Sequence, residues 1–354
     1  MAEEVTIELD RFGASRHPRD TEILFGHARE EAQILAAYRS GRMPHAWLLS
    51  GPDGIGKASF AYHAARFILS HPDPMGALVQ NAASLDSRFD TAIGRRISAQ
   101  SHGDLLAIRR EMEPGKKTIP TEIKVDQIRK LIQFFETTAG EGGWRIAIID
   151  TLDELNRSGA NALLKLIEEP PPRSLFFMVT SAPGRLLPTI RSRCRVLTFR
   201  PLKETDIVGA LLAQPIPPSQ TVAEKAARHA GGSVKSALKL IDPATLSMIE
   251  QIEKMLNLLP ALDRAELLQM AEGLVGRERS NAYQTVIETV QNWISEQCRL
   301  RAGEGGHRLA PLAEVWEKSA RMAGETDRYN LDRRPFMQSL FTDLADAVRL
   351  SNAA

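Results

Sequence analysis

A chain of 354 residues is longer than one hydrophobic core usually organises, so two or three domains are expected. Its 45 basic and 44 acidic residues nearly cancel, which leaves no global field to draw it to DNA, and 43% hydrophobic with 25% charged residues is ordinary globular composition. No apolar run approaches the roughly 18 residues of a membrane span, the polar opening Met1 to Asp10 does not read as a signal peptide, and two cysteines, Cys194 and Cys298, build neither a disulfide framework nor a four-thiolate zinc site. A cytoplasmic protein without membrane contact is expected, with no metal held by its own side chains.

After a polar N-terminal segment, the periodicity predicts a helix from His27 to Tyr38, ended near Gly41. Ala46-Trp47-Leu48-Leu49 predicts a buried strand, and Phe60 to Leu69, free of Gly and Pro, a helix. Between them lies Ser50-Gly51-Pro52-Asp53-Gly54-Ile55-Gly56-Lys57-Ala58-Ser59. The phosphate-loop pattern G-x-x-x-x-G-K-[ST] is met by Gly51, Gly56 and Lys57 and broken at Ala58. In an intact loop the glycines let backbone N–H groups curl round phosphates, the Lys pairs with the outer phosphates, and the last hydroxyl binds Mg²⁺. Ala58 has no oxygen to give, and Ser59, one residue on, is turned away by about 100°.

Residues from about Asp73 to Gly103 read as a poorly patterned insertion with Pro74, Gly76 and Gly94. A helix is predicted from Val125 to Thr137, with Val125, Ile128, Leu131, Ile132 and Phe135 on one face, broken by Gly140, Gly142 and Gly143. Arg145 to Asp150 predicts a buried strand ending in an Asp where a nucleotide fold places its Mg²⁺-holding carboxylate, although a capping or solvated strand-end Asp also fits that place. Nucleotide-hydrolysing proteins of this architecture place a second acid next; here it is Thr151, while Asp153 and Glu154 are expected to begin the following loop or helix. The water-activating carboxylate is therefore expected to be absent. A helix from Ser158 to Glu169, with Leu163, Leu164 and Ile167 inward, is stopped by Pro170, Pro171 and Pro172. Leu175 to Thr180 and Arg195 to Phe199 predict two more strands.

Short apolar strands alternating with amphipathic helices argue for an α/β domain, 1–201, built on a parallel sheet covered on both faces. Residues 202–245 predict a small helical set interrupted by Pro215, Pro217 and Pro218, with Gly231 and Gly232 opening its last helix. The remainder, 246–354, predicts an all-helical domain from the stripes Ile249, Ile252, Met255, Leu256, then Val286, Val290, Trp293, Ile294, then Phe336, Leu340, Leu344, Val348. Cys298 falls on the second stripe and reads as buried packing.

The run Ser158-Gly159-Ala160-Asn161-Ala162-Leu163-Leu164-Lys165-Leu166-Ile167-Glu168-Glu169-Pro170-Pro171, followed some twenty residues later by Ser192-Arg193-Cys194, resembles the clamp-loader branch of the AAA+ proteins. With the defective nucleotide motifs and the Val125-Asp126-Gln127-Ile128-Arg129 helix, the chain is most similar to the delta-prime subunits of bacterial DNA polymerase III loaders. The resemblance is strongest from Ile23 to Pro201 and fades to helical pattern after Asp242.

That resemblance implies an AAA+ parallel-sheet nucleotide fold, then a small helical lid domain and a helical collar domain. It implies a non-hydrolysing subunit that supports ATP-dependent loading of a sliding clamp onto primed DNA, with no polymerase activity of its own and little or no ATPase. Implied partners are delta and gamma/tau subunits, with the clamp and primer–template DNA reached through the complex and DNA contacts made to phosphates. Arg193 maps onto an arginine finger offered to a neighbour's ATP, a role suited to a permanently charged, forked guanidinium. From spacing alone, a surface arginine beside Arg191, Arg195 and Arg200 is an equal reading; the motif favours the finger.

The implied nucleotide set is Gly51, Gly54, Gly56, Lys57, Asp150 and Thr180, with ATP or ADP bound at most and not hydrolysed. Thr180 matches a phosphate-sensing position, although β propensity alone also places Thr at a strand end. Lys235 sits where active relatives carry a sensing arginine. Many relatives have a four-cysteine zinc module after the phosphate-loop helix; Ser70 to Gly103 has no Cys, and His71 and His102 cannot replace four thiolates, so no zinc is expected. Two alternatives stand beside this: an active motor ATPase, disfavoured by Ala58 and Thr151 together, and an inert collar scaffold without a finger.

Overall fold

The computed structural model describes residues 13, 15–111, 120–136, 140, 143–274, 280–304, 306–329 and 331–353. The chain forms two compact units, residues 1–220 with 232–235 and residues 221–231 with 236–354.

The first unit is an α/β fold built on a parallel sheet. In chain order it contains α1 (Ala28–Arg39), β1 (Ala46–Ser50), α2 (Lys57–Ser70), α3 (Ala77–Gln80), α4 (Ala92–Ser98), β2 (Leu105–Ile108) and α5 (Val125–Glu136). There follow β3 (Arg145–Asp150), α6 (Arg157–Glu168), β4 (Ser174–Thr180), α7 (Pro188–Arg191), β5 (Arg195–Thr198) and α8 (Glu204–Leu212). Among the described residues five strands form one parallel sheet, in the order β2-β3-β4-β1-β5. Each crossover carries a helix back to the starting edge, as parallel pairing requires.

Alternation along the strands separates two apolar layers. Trp47, Leu49, Ile146, Ile148, Phe177 and Val179 pack with Ile34 of α1 and Phe60, Ala64 and Ile68 of α2. Ala46, Leu48, Ala147, Ile149, Phe176 and Met178 pack with Ile128, Leu131 and Phe135 of α5 and Leu163 and Ile167 of α6. Coverage of both faces is why β1 and β4 are buried at every residue and read as unbroken apolar runs. Phe176 and Phe177 point to opposite layers and are fully buried, each contributing roughly 2 kcal/mol of transfer free energy.

Local signals set the ends. Asn156 caps α6 by accepting the Gly159 N–H at 2.8 Å, and the three prolines after Glu169 stop it. The structure adds order where little was expected: the insertion holds α3 and α4, and β2 is a strand with no counterpart in the sequence reading. Leu105-Leu106-Ala107-Ile108 is too short for its pattern to separate strand from helix, and it lies at the sheet edge, half-buried except at Ile108. His27 precedes α1 rather than opening it and takes a left-handed conformation, φ 61°. The expected helix end at Thr137, the breaker Gly142 and the opening Met1 to Asp10 lie outside the described residues.

The second unit is helical: α9 (Gln220–His229), most of α10 (Val234–Leu240), α11 (Pro243–Asn257), α12 (Arg264–Glu272), α13 (Ser280–Leu300), α14 (Gly306–Tyr329) and α15 (Arg333–Ala353). The three sequence stripes form its core, buried at Ile249, Ile252, Met255, Leu256, Val286, Val290, Ile294, Phe336, Leu340, Leu344 and Val348. Trp293 and Cys298 are half-buried. Helix α14 packs along α15 and α13. No described helix is long and apolar enough to cross a membrane.

Candidate functional site

Parallel strands deliver their carboxyl ends to one edge of the sheet, and four of the five end near the phosphate loop. Ser50 of β1 is level with Thr180 of β4 and Thr198 of β5, and Asp150 of β3 is level with Val179. The structure thus brings together Gly51, Gly54, Gly56, Lys57, Asp150 and Thr180. Gly51 starts the loop by donating its N–H to the Thr180 carbonyl at 3.3 Å. Gly54 and Gly56 turn it through left-handed conformations, φ 71° and 98°, that a side chain would oppose.

Lys57, the first residue of α2, is 4% exposed and bonds within the loop. Its Nζ donates to the Gly51 carbonyl at 2.8 Å, to the Pro52 carbonyl, and more weakly to Ser181 Oγ at 3.4 Å. Burial pulls its ammonium below the ordinary lysine value, against the opposing charges of Asp53, Asp150 and Asp153. Ser59 accepts from the Thr21 hydroxyl at 3.2 Å, so its oxygen is engaged away from the loop.

Asp153 has a placement that its sequence position hides. A 3₁₀ turn, Leu152–Glu154, returns it to the end of β4, where its Oδ1 accepts from Thr180 Oγ1 at 2.7 Å and from the Ser181 N–H at 3.2 Å. Thr180 is fully buried; its hydroxyl donates to Asp153 and accepts the Ala182 N–H at 3.2 Å. Glu154 turns the other way and pairs with Arg110 at 2.7 Å, burial raising its pKa more than the arginine lowers it. The acids past Thr151 are therefore bound to protein partners.

The segment Gly232–Lys235 closes on the tip of the loop. Lys235 Nζ pairs with Asp53 Oδ2 at 2.7 Å, the Lys235 N–H donates to the Gly54 carbonyl at 3.2 Å, and Ser233 Oγ donates to the Asp53 carbonyl at 3.1 Å. The fit is so close that a Cβ on Gly54 would stand 2.3 Å from Lys235 Cβ and 2.5 Å from Ser233 Oγ. Asp53 is exposed, and partial desolvation against the loop raises its carboxyl pKa, but the Lys235 bond, the charges of Lys235 and Lys57 and the Gly54 N–H outweigh that and hold it below the ordinary value. His27 supports the loop from beneath, its Nε2 lying 2.7 Å from the Ile55 carbonyl and its ring edge-on to Phe199. In this geometry the two cations at the loop, Lys57 and Lys235, are both bonded to the loop's own oxygens.

Arg193 is elsewhere. It follows α7, just before β5, and Arg195 pairs level with Trp47 near the start of β1. The three residues from there to Ser50 place it about 10 Å back along the strands, at the opposite edge of the sheet from the loop. Its guanidinium is exposed, with Nη2 on Glu168 Oε1 at 2.7 Å and Nη1 on the Thr189 carbonyl at 3.1 Å. Arg191, Arg195 and Arg200 are exposed too. Cys194 turns inward, donating to the Ile190 carbonyl at 3.0 Å, and burial pushes its thiol up to about 12, which favours the protonated form.

For metals, His71 Nδ1 lies 3.0 Å from the Phe67 carbonyl and His102 Nδ1 accepts the Asp104 N–H at 3.1 Å, both local contacts. Among the described residues no group of three or more His, Cys, Asp or Glu could hold a metal ion. Asp53, Asp153, Ser233 and His27 are the residues that sequence reasoning gave no part in the site. For Asp53 a signal was present, an acid inside a loop meant for anions.

The family signature described as DNA polymerase III, delta subunit, matches residues 26–203, half of the chain. The delta-prime subunit of DNA polymerase III from Pseudomonas aeruginosa is 33% identical over 234 residues, 64% of this chain and 66% of that protein. The Escherichia coli delta-prime subunit is 31% identical over 208 residues, 59% of this chain and 58% of that one. A gamma/tau subunit from Mycobacterium tuberculosis is 30% identical over 226 residues, 61% of this chain and 36% of that one. These matches span less than two thirds of the relatives' own lengths. The extent of the family match, with the delta-prime subunits among its relatives, makes this chain a member of the DNA polymerase III delta-subunit family, in its delta-prime branch.

Proposed function

We propose that the chain is a clamp-loader subunit of bacterial DNA polymerase III that does not hydrolyse ATP itself and offers Arg193 to ATP bound by a neighbouring gamma/tau-type subunit. The observation that carries this reading is the position of Arg193, exposed at the sheet edge opposite its own phosphate loop. A guanidinium there is out of reach of a nucleotide in the same subunit and open to one in another. Ala58 in place of the Mg²⁺ hydroxyl, Lys57 bonded to loop carbonyls, and Asp153 and Glu154 held by Thr180 and Arg110 support the absence of hydrolysis. The sliding clamp and primer–template DNA are reached through the assembled loader, along with delta and gamma/tau subunits.

The test is single-turnover ATP hydrolysis by the reconstituted loader with Arg193→Ala. A finger in trans is worth roughly 10³ to 10⁵ in rate at the site it serves, so one site per complex should fall nearly silent while assembly survives. Unchanged hydrolysis at every site would leave the chain an inert scaffold. ATP turnover by the isolated chain, lost on Lys57→Ala, would instead make it an active ATPase.

A further inference from the structure

We infer that the Asp53–Lys235 ion pair is a latch that holds the phosphate loop shut against nucleoside di- and triphosphates. This deepens the reading of a non-hydrolysing subunit, and its test measures binding by the chain itself, so either can fail without the other.

Three contacts converge on two loop residues: the Lys235 ammonium on the Asp53 carboxylate, the Lys235 N–H on the Gly54 carbonyl, and the Ser233 hydroxyl on the Asp53 carbonyl. The steric contact at Gly54 shows that the segment lies directly against the loop. Beneath it, Lys57 already serves three oxygens. A phosphate entering here must take Lys57 from those acceptors and part Lys235 from Asp53. Asp150 and Asp153 also act on Lys57 and compete with an entering phosphate for it. Restoring a hydroxyl at Ala58 removes none of these obstacles.

The sign of the effect at Lys235 separates a latch from a sensor. A sensing cation greets the terminal phosphate, so its removal weakens binding; a latch cation keeps the loop closed, so its removal strengthens it. Titration of the full chain with a ribose-labelled fluorescent ATP reads this, using Lys235→Met to keep the aliphatic stem. The ion pair is largely exposed, which sets the scale at about two- to fivefold tighter binding for Lys235→Met and for Asp53→Asn. The exchanged pair, Asp53→Lys with Lys235→Asp, should return to the wild-type level, since it restores the closure.

Weaker binding by Lys235→Met overturns the latch in favour of a sensor. Tighter binding by Asp53→Asn alone assigns the effect to plain repulsion and also overturns it. No binding by any variant places the exclusion in Ala58 and the loop carbonyls, and the latch falls. Thermal melts of each variant exclude unfolding, and the exchanged pair keeps the proposal testable if a single variant proves unstable.

Discussion

The two edges of one sheet treat their cations differently. At the carboxyl edge, Lys57 is buried and bonded to two loop carbonyls and Ser181, and Lys235 is paired to Asp53. At the amino edge, Arg193 is exposed, held by one exposed carboxylate and one carbonyl. Recruiting a cation to a phosphate costs whatever its present partners supply. A buried, multiply bonded ammonium has several bonds to surrender, whereas an exposed pair is worth about 0–1 kcal/mol. The cations at the phosphate loop therefore have more bonds to surrender than Arg193 has at the opposite edge.

The largest break in this contrast comes from Arg193. Arg193→Ala should cost roughly 10³ to 10⁵ at the neighbour's site, and Arg193→Lys most of that, because a point charge lacks the planar fork. A lysine variant with full single-turnover rate would show that charge alone suffices.

Gly54→Ala strikes the closed edge. The new Cβ must adopt φ 71° and stand 2.3 Å from Lys235 Cβ, so the left-handed penalty and the overlap should together lower stability by roughly 2–4 kcal/mol. Urea unfolding measures it. A midpoint equal to wild type would mean that Gly232–Lys235 is not packed on the loop, and the closed half of the comparison would go.

Glu168 sharpens the open edge. Neutralising it in Glu168→Gln releases Arg193 from its resting partner, and the neighbour's hydrolysis should rise by up to about fivefold at limiting ATP, the scale of one exposed pair. In the Arg193→Ala background the same change should do nothing. An equal effect in both backgrounds would make Glu168 a part of α6 unrelated to the finger.

Much of this was legible in the sequence because parallel sheets are written simply. Runs such as Ile146-Ala147-Ile148-Ile149 and Leu175-Phe176-Phe177-Met178-Val179 are apolar on both faces, and a phosphate loop after one strand fixes which edge carries Asp150 and Thr180. The loop's state was not legible. Asp153 returns to Thr180 through a single 3₁₀ turn, and spacing along the chain cannot tell a carboxylate leading away from one folding back. Lys235 reaches Asp53 across 182 residues, a contact set by packing rather than by any local pattern. Glu168 stood inside the motif, but its pairing with Arg193 depends on α6 running back to the edge where β5 begins.

The smallest effect is the acid dependence of the latch. Partial desolvation raises the Asp53 carboxyl, but Lys235, Lys57 and the Gly54 N–H hold it below its ordinary value of 3.8. A carboxyl with a depressed folded pKa contributes stability that is complete above the unfolded value and is lost as pH falls through the folded one. The difference in urea stability between wild type and Asp53→Asn should therefore be constant from neutral pH to about 4.5 and shrink below about 3.8. Both partners are at least half exposed, so solvent screening confines it to a few tenths of a kcal/mol. In Lys235→Met the same comparison should be nearly flat. If the acid-side change survives without Lys235, the carboxylate draws its stabilisation from Lys57 and the loop N–H, and the edge is closed by the phosphate loop alone.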